Sequence, residues 1–172
     1  MEELKYPIGK FTPPTEISNK QVEEWLNDFI NLPDDFLQVA VAIEKAGKLE
    51  VPYRPGGWTA RQVIHHLADS HVNSYTRFKL ALTEDNPTIR PYDEVAWAEL
   101  ADNKLAIDVS LNLLTNLHQR LGKLLETLSP EQWQRTFVHP ASGDKTTLAH
   151  NIGMYAWHGR HHLGHLLLIT RD

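Results

Sequence analysis

An all-α fold, an antiparallel four-helix bundle filling residues 1–172 as one domain, is what this sequence predicts. Three observations carry it. Apolar residues recur at helical spacing through four long blocks, Pro- and Gly-rich punctuation separates those blocks, and no segment alternates with the period of two that a half-buried strand needs. Little or no sheet is expected.

The first block opens at Ser18-Asn19-Lys20-Gln21, a capping-box pattern in which the Ser18 hydroxyl and the Gln21 amide satisfy orphan N–H groups. Val22, Trp25, Leu26, Phe29 and Ile30 form its apolar face. Pro33 is expected to interrupt it, after which Phe36, Leu37, Ala40, Val41 and Ile43 resume helical spacing up to Gly47. After the turn-rich Pro52-Tyr53-Arg54-Pro55-Gly56-Gly57, Thr59-Ala60-Arg61-Gln62 repeats the capping box. Trp58 and Val63 stand where a hydrophobic staple places them, and this second helix should run to about Leu82. A long loop follows. The third helix carries Ile107, Leu111, Leu114, Leu117, Leu121, Leu124 and Leu128, until Ser129-Pro130 stops it with Pro130 at the first position of a short turn. The fourth runs from about Thr147 to Ile169.

Composition narrows the functional classes. Net charge is −5 with scattered acidic residues, so no basic stripe offers itself to nucleic acid. No apolar run nears membrane-spanning length and the amino terminus lacks an apolar signal region, so a cytoplasmic location is expected. The chain has no cysteine, which removes thiolate nucleophiles and Cys-based zinc sites together. Any metal must take nitrogen and oxygen ligands.

The histidines are the chemical signal. Five of the ten lie in the fourth helix, and His158 and His162 stand four apart. Side chains at that spacing stack on one helix face, about 5–6 Å between Cβ atoms. Two imidazoles so placed can converge on one metal at roughly 2.0–2.1 Å. The stripe Leu148, Ile152, Tyr155, His162, Leu166 and Ile169 sets the inward face; His158 lies beside it, His165 near its edge, and His161 and His150 point more outward. The second helix offers His65, His66 and His71. Its apolar face centres on Leu67, Ser74 and Phe78, so the wheel puts His71 inward, His66 on the flank and His65 toward water. Periodicity alone favours His71 as a third ligand, or as an inward polar residue beside the site.

The segments Gly57-Trp58-Thr59-Ala60-Arg61-Gln62-Val63-Ile64-His65-His66-Leu67-Ala68-Asp69 and Trp157-His158-Gly159-Arg160-His161-His162-Leu163 closely resemble the DinB-like metal-dependent proteins. Pro87–Glu94 and Trp97 are similar to the YfiT branch, provisionally classed as metal-dependent hydrolases. The resemblance implies a bundle holding one divalent metal per chain through His66, His158 and His162, with an open position for water or substrate, and it implies a homodimer. An all-histidine triad points to zinc first and nickel second.

The expected reaction is hydrolysis of a small-molecule ester or amide by water activated at the cation. The motif lacks the Glu that follows the first His in His-Glu-x-x-His proteases, so no general base is built in. Asp69 is the candidate base, although a surface pairing with Arg61 or Lys79 accounts for it equally well; Asp93 and Glu94 on the long loop are further candidates. The resemblance also extends to transferases and isomerases that use a low-molecular-weight thiol such as bacillithiol or mycothiol, whose anionic groups Arg54, Arg61, Arg90 or Arg160 could clamp. A bundle whose metal only fixes the helices is the non-enzymatic alternative. Pro91, Tyr92 and Trp97 are expected to line a cleft.

Overall fold

A computed structural model describes residues 2–171. The chain runs through a short α1 (Glu2–Lys5), the long α2 (Asn19–Lys45) and α3 (Ala60–Thr83), a short α4 (Glu94–Ala98) with a 3-10 turn at Ala101–Lys104, α5 (Ile107–Leu125), a single turn α6 (Pro130–Trp133), a hairpin of β1 (Thr136–Val138) and β2 (Lys145–Thr147), and α7 (Leu148–Thr170). The hairpin is the whole sheet among the described residues, with Phe137 opposite Thr146. No helix among them is long and apolar enough to cross a membrane.

The four long helices form the expected bundle, and two apolar clusters reveal their directions. One joins Val22 and Phe29 of α2 to Phe78 and Ala81 of α3, Leu121 and Leu125 of α5, and Leu148 and Ile152 of α7. The other joins Phe36 and Ile43, Val63 and Leu67, Ile107 and Leu111, and Leu166 and Ile169. So α2 and α7 run parallel, α3 and α5 run parallel, and the two pairs are antiparallel to each other. The ends agree: Lys48 Nζ, just past α2, donates to the Ile169 carbonyl near the end of α7. The sequence predicted an antiparallel arrangement without this pairing. The long connection from α3 to α5 makes it possible, because a parallel neighbour requires the chain to return along the bundle. α2 packs on α7 and α5 and barely on α3, so the first two long helices are diagonal.

Local signals set the ends. Thr59 and Gln62 make the reciprocal capping box that starts α3. Ser18 accepts from the Gln21 amide N–H, but the Gln21 side chain donates to Glu24 instead of returning, so only half of that box forms. Ser129 and Gln132 complete a box around α6, so the stop at Pro130 is also a capped start. Gly47, at φ 69°, closes α2: its N–H bonds the Glu44 carbonyl and that of Lys48 bonds Ile43, a Schellman pair that needs a left-handed residue.

Pro33 does not interrupt α2, which continues through it. Proline removes the N–H that would reach the Phe29 carbonyl. That carbonyl is taken by an imidazole from another helix, His118 Nδ1 of α5, at 2.8 Å. The tertiary contact replaces the lost helical bond.

The α2–α7 seam is close enough that a Cβ on Gly159 would overlap Leu32 Cδ2, in a region where Leu32 is buried. Gly159→Val should therefore lower stability by ~1–3 kcal/mol through overpacking; a denaturant midpoint equal to wild type would show that the seam yields. Burial lowers the His118 pKa to about 4, against the upward pull of its bond to Phe29. Between pH 6.5 and about 4 the unfolded chain holds a proton that the folded one refuses, so stability is lost as pH falls through that window. The melting temperature of metal-free protein should drop from pH 7 to pH 4, and a flat profile would contradict the assignment.

Candidate metal centre

Helix α3 presents His66 two turns after its Thr59 cap, and α7 presents His158 and His162 on either side of its midpoint. Because α3 and α7 are antiparallel neighbours, those levels coincide. Each of the three residues offers one ring nitrogen, and the nitrogens lie within 4.8 Å of one another. Nε2 of His158 and Nε2 of His162 are 3.1 Å apart. Tetrahedral ligands at zinc-nitrogen distance would stand roughly 3.3 Å apart, so the donor set fits a small cation.

Protons on these rings can be placed from the bonds they make. His165 Nε2 sits 3.1 Å from the Lys5 carbonyl, which only accepts, so Nε2 carries the proton. His165 Nδ1 is then a bare lone pair, 3.3 Å from His162 Nδ1, which must donate. His162 is left with its lone pair on Nε2, aimed at His158. Burial is the first cause that keeps these rings neutral: it lowers His66 to about 4 and His158 and His162 well below the ordinary histidine value, and neighbouring imidazoles push the same way. At pH 7 no proton competes for the lone pairs. A second group, His161, His162 and His165, is as compact, but both nitrogens of His165 are engaged in the chain just described.

The wheel placed His161 and His150 outward, and the structure corrects this. His161 is buried and His150 half-buried. The N-terminal segment covers them: Tyr6 lies against His161, Phe11 meets the edge of His150, and Trp157 Nε1 donates to the Gly9 carbonyl. This segment has no helical periodicity, so a wheel could not see it. Gly153 and Gly164 let Trp25 and Pro7 approach α7 to distances a side chain would block. His65, expected to face water, is buried as well. It accepts from the Ser110 hydroxyl through Nδ1 and donates to the Leu105 carbonyl through Nε2. His71 is fully buried, outside the three-nitrogen group, and bonded through Nδ1 to His118 Nε2 at 2.7 Å.

The three imidazoles floor a cleft of about 490 Å³ walled by Tyr6, Tyr53, Trp58 and Trp157, with Lys5, Arg54 and Glu94 supplying its charge. From the long connection only Glu94 and Val95 line it; Tyr92 and Trp97, expected there, pack on each other instead. Asp93 caps α4 through the Ala96 N–H. Arg61 pairs with Glu50 and Arg160 with Asp28, Arg90 is exposed, and of the four candidate arginines Arg54 alone reaches the cleft. Asp69 pairs with neither Arg61 nor Lys79, which lies over the Tyr75 ring. Its carboxyl is half-buried and pushed up to about 6, first by burial and then by Asp102, but it lies outside the cleft lining. Sequence reasoning missed His118, His165 as the anchor of His162, and the N-terminal wall.

Comparison with known proteins agrees with the fold. The DinB superfamily profile matches residues 20–166. A Bacillus mycoides protein provisionally named a metal-dependent hydrolase is 51% identical over 166 residues, covering 96% of this chain and 95% of that one. A Bacillus cereus protein of the same name is 51% identical over 171 residues, 99% and 98% of the two chains. Among solved structures, YfiT from Bacillus subtilis, a four-helix bundle of unusual topology, superposes with a TM-score of 0.93 at 48% identity over 98% of this chain and 97% of that one. A mycothiol-dependent maleylpyruvate isomerase shares the fold at 20% identity, with a TM-score of 0.64 over 83% of this chain and 59% of its own. On the profile match and the identity to these relatives, the chain belongs to the DinB superfamily.

Proposed function

We propose that the protein is a metal-dependent hydrolase of small molecules whose divalent ion is held by His66, His158 and His162. The observation that carries the reading is the convergence of three neutral ring nitrogens from two helices on the floor of an open cleft, with the His162 lone pair directed there by a hydrogen-bond chain ending on a backbone carbonyl. The names of the Bacillus relatives support it. Nitrogen-only ligation favours zinc, then nickel. When bound, such an ion supplies Lewis acidity toward a carbonyl oxygen or a water molecule.

The chain's own residues do the rest. The three imidazoles hold the ion and leave its charge undiminished, since none carries charge itself. The aromatic walls exclude water from one side of a bound substrate. Glu94 is the carboxylate at the cleft and would accept the proton released as water attacks. Asp69, the candidate from sequence, has a pKa suited to a base but would need a solvent path from outside the lining.

One observation favours a second reading, transfer of a low-molecular-weight thiol: Arg54 and Lys5 flank the cleft and could hold an anionic cosubstrate, in a chain with no cysteine of its own.

Purified protein should carry about one divalent ion per chain by elemental analysis, and His66→Ala, His158→Ala and His162→Ala should each lose most of it. Full retention by the two α7 variants would remove the site. With fluorogenic esters and amides, turnover without added thiol should fall by about 10²-fold or more in Glu94→Gln. Turnover seen only with bacillithiol or glutathione, and weakened in KM by Arg54→Gln, would replace hydrolysis with thiol transfer.

A further inference from the structure

We infer that His71, held by His118, is a positioning residue for His158: a chain from the Phe29 carbonyl through His118 and His71 sets the ring orientation and tautomer of that ligand. The inference rests on the metal reading above and adds two residues to it. Pro33 leaves the Phe29 carbonyl without a helical partner, and His118 Nδ1 occupies it at 2.8 Å. A carbonyl only accepts, so His118 carries its proton on Nδ1 and keeps a bare Nε2. That nitrogen lies 2.7 Å from His71 Nδ1, which must donate to it. His71 is left with a bare Nε2, buried and without a partner.

The Phe29 ring stiffens the chain. It stacks on His118 at 3.9 Å and 10° and on His71 at 5.6 Å and 6°, and the planes of the two imidazoles differ by 15°. Neither ring can flip without breaking both its bond and its stack. On the other side stands His158, whose Nδ1 is likewise buried and unpartnered. With Nε2 of His158 committed to a cation, its proton must sit on Nδ1, and an N–H in that place needs an acceptor. The bare Nε2 of His71 is an acceptor with no other bond. The His71 and His158 rings are 5.9 Å apart, against 4.8 Å for the hydrogen-bonded pair His71 and His118. The 1.1 Å difference between those separations is the approach that ligation would have to complete. On this account the histidine that periodicity favoured as a ligand acts one bond behind the metal.

The test uses the full chain with ¹⁵N-labelled histidine, and zinc as the probe. In metal-free protein, His71 and His118 should both be Nδ1–H tautomers, the minor form of free histidine. On zinc addition the His158 Nδ1 proton should become protected, and the His71 Nε2 signal should move into the hydrogen-bonded range. In chelator competition, His71→Leu and His118→Leu should bind zinc about 10–100-fold more weakly. His118→Gln, whose amide N–H and oxygen reproduce the donor and acceptor, should recover most of that loss. Zinc affinity unchanged in both leucine variants, or a proton on His71 Nε2, overturns the inference while leaving the metal reading standing. Wild-type protein that takes up no zinc overturns both. The wild-type spectra decide the matter even where a leucine variant does not fold.

Discussion

Two backbone carbonyls govern the proton positions on which the candidate site depends. A buried neutral imidazole has one donor and one acceptor, and nothing in the ring itself decides which nitrogen is which. Lys5 and Phe29 each present an oxygen that can only accept. From Lys5 the order propagates through His165 to His162, and from Phe29 through His118 to His71. Water would scramble such an order by offering donors and acceptors to either nitrogen. Burial keeps water out, and the same burial depresses the pKa values so that the rings stay neutral. Desolvation thus serves geometry and protonation at once.

That burial has a structural origin in α7. Most surface helices keep a polar face in water. Here α2 lies along one side of α7 and the N-terminal segment along another, each brought close by a glycine, while α3 closes the side that carries His66. A helix covered on so many sides can hold five histidines with three of them buried and two, His150 and His158, half-buried. The parallel pairing of α2 with α7 matters as well. It sets the C-terminal half of α7 level with the N-terminal half of α3, and so brings a residue early in one helix beside residues late in the other.

Legibility in the sequence followed the range of the interaction. Features decided within one turn were readable: the Thr59–Gln62 box, the leucine stripe of α5, and the four-residue spacing of His158 and His162. His66, a flank residue on the helical wheel, is pointed to by its Gly57–Asp69 motif and stands in the three-nitrogen group. What failed depended on distant chain. His161 and His65 were placed toward water because a wheel assumes that the face opposite the core is bare, and here an irregular segment and a long connection cover it. Pro33 looks like a break because propensity counts the missing helical bond, while the bond from His118 that replaces it comes from a distant helix. In both cases the missing information was tertiary.

The chemistry of the cleft follows from charge more than from shape. Three neutral ligands leave a divalent ion electrophilic, which suits both polarising a carbonyl and ionising a thiol. The triad therefore does not separate the two reactions, and the rim has to. Among the described residues Glu94 is the one carboxylate lining the cleft and favours removal of a proton from water; Arg54 and Lys5 favour an anionic partner. A hydrolase needs the carboxylate to act on a neutral nucleophile beside the ion. A thiol transferase needs the cations to bind the cosubstrate and leaves the carboxylate little to do, because a coordinated thiol ionises readily. The two readings thus assign opposite importance to residues on the same rim, although they share every ligand.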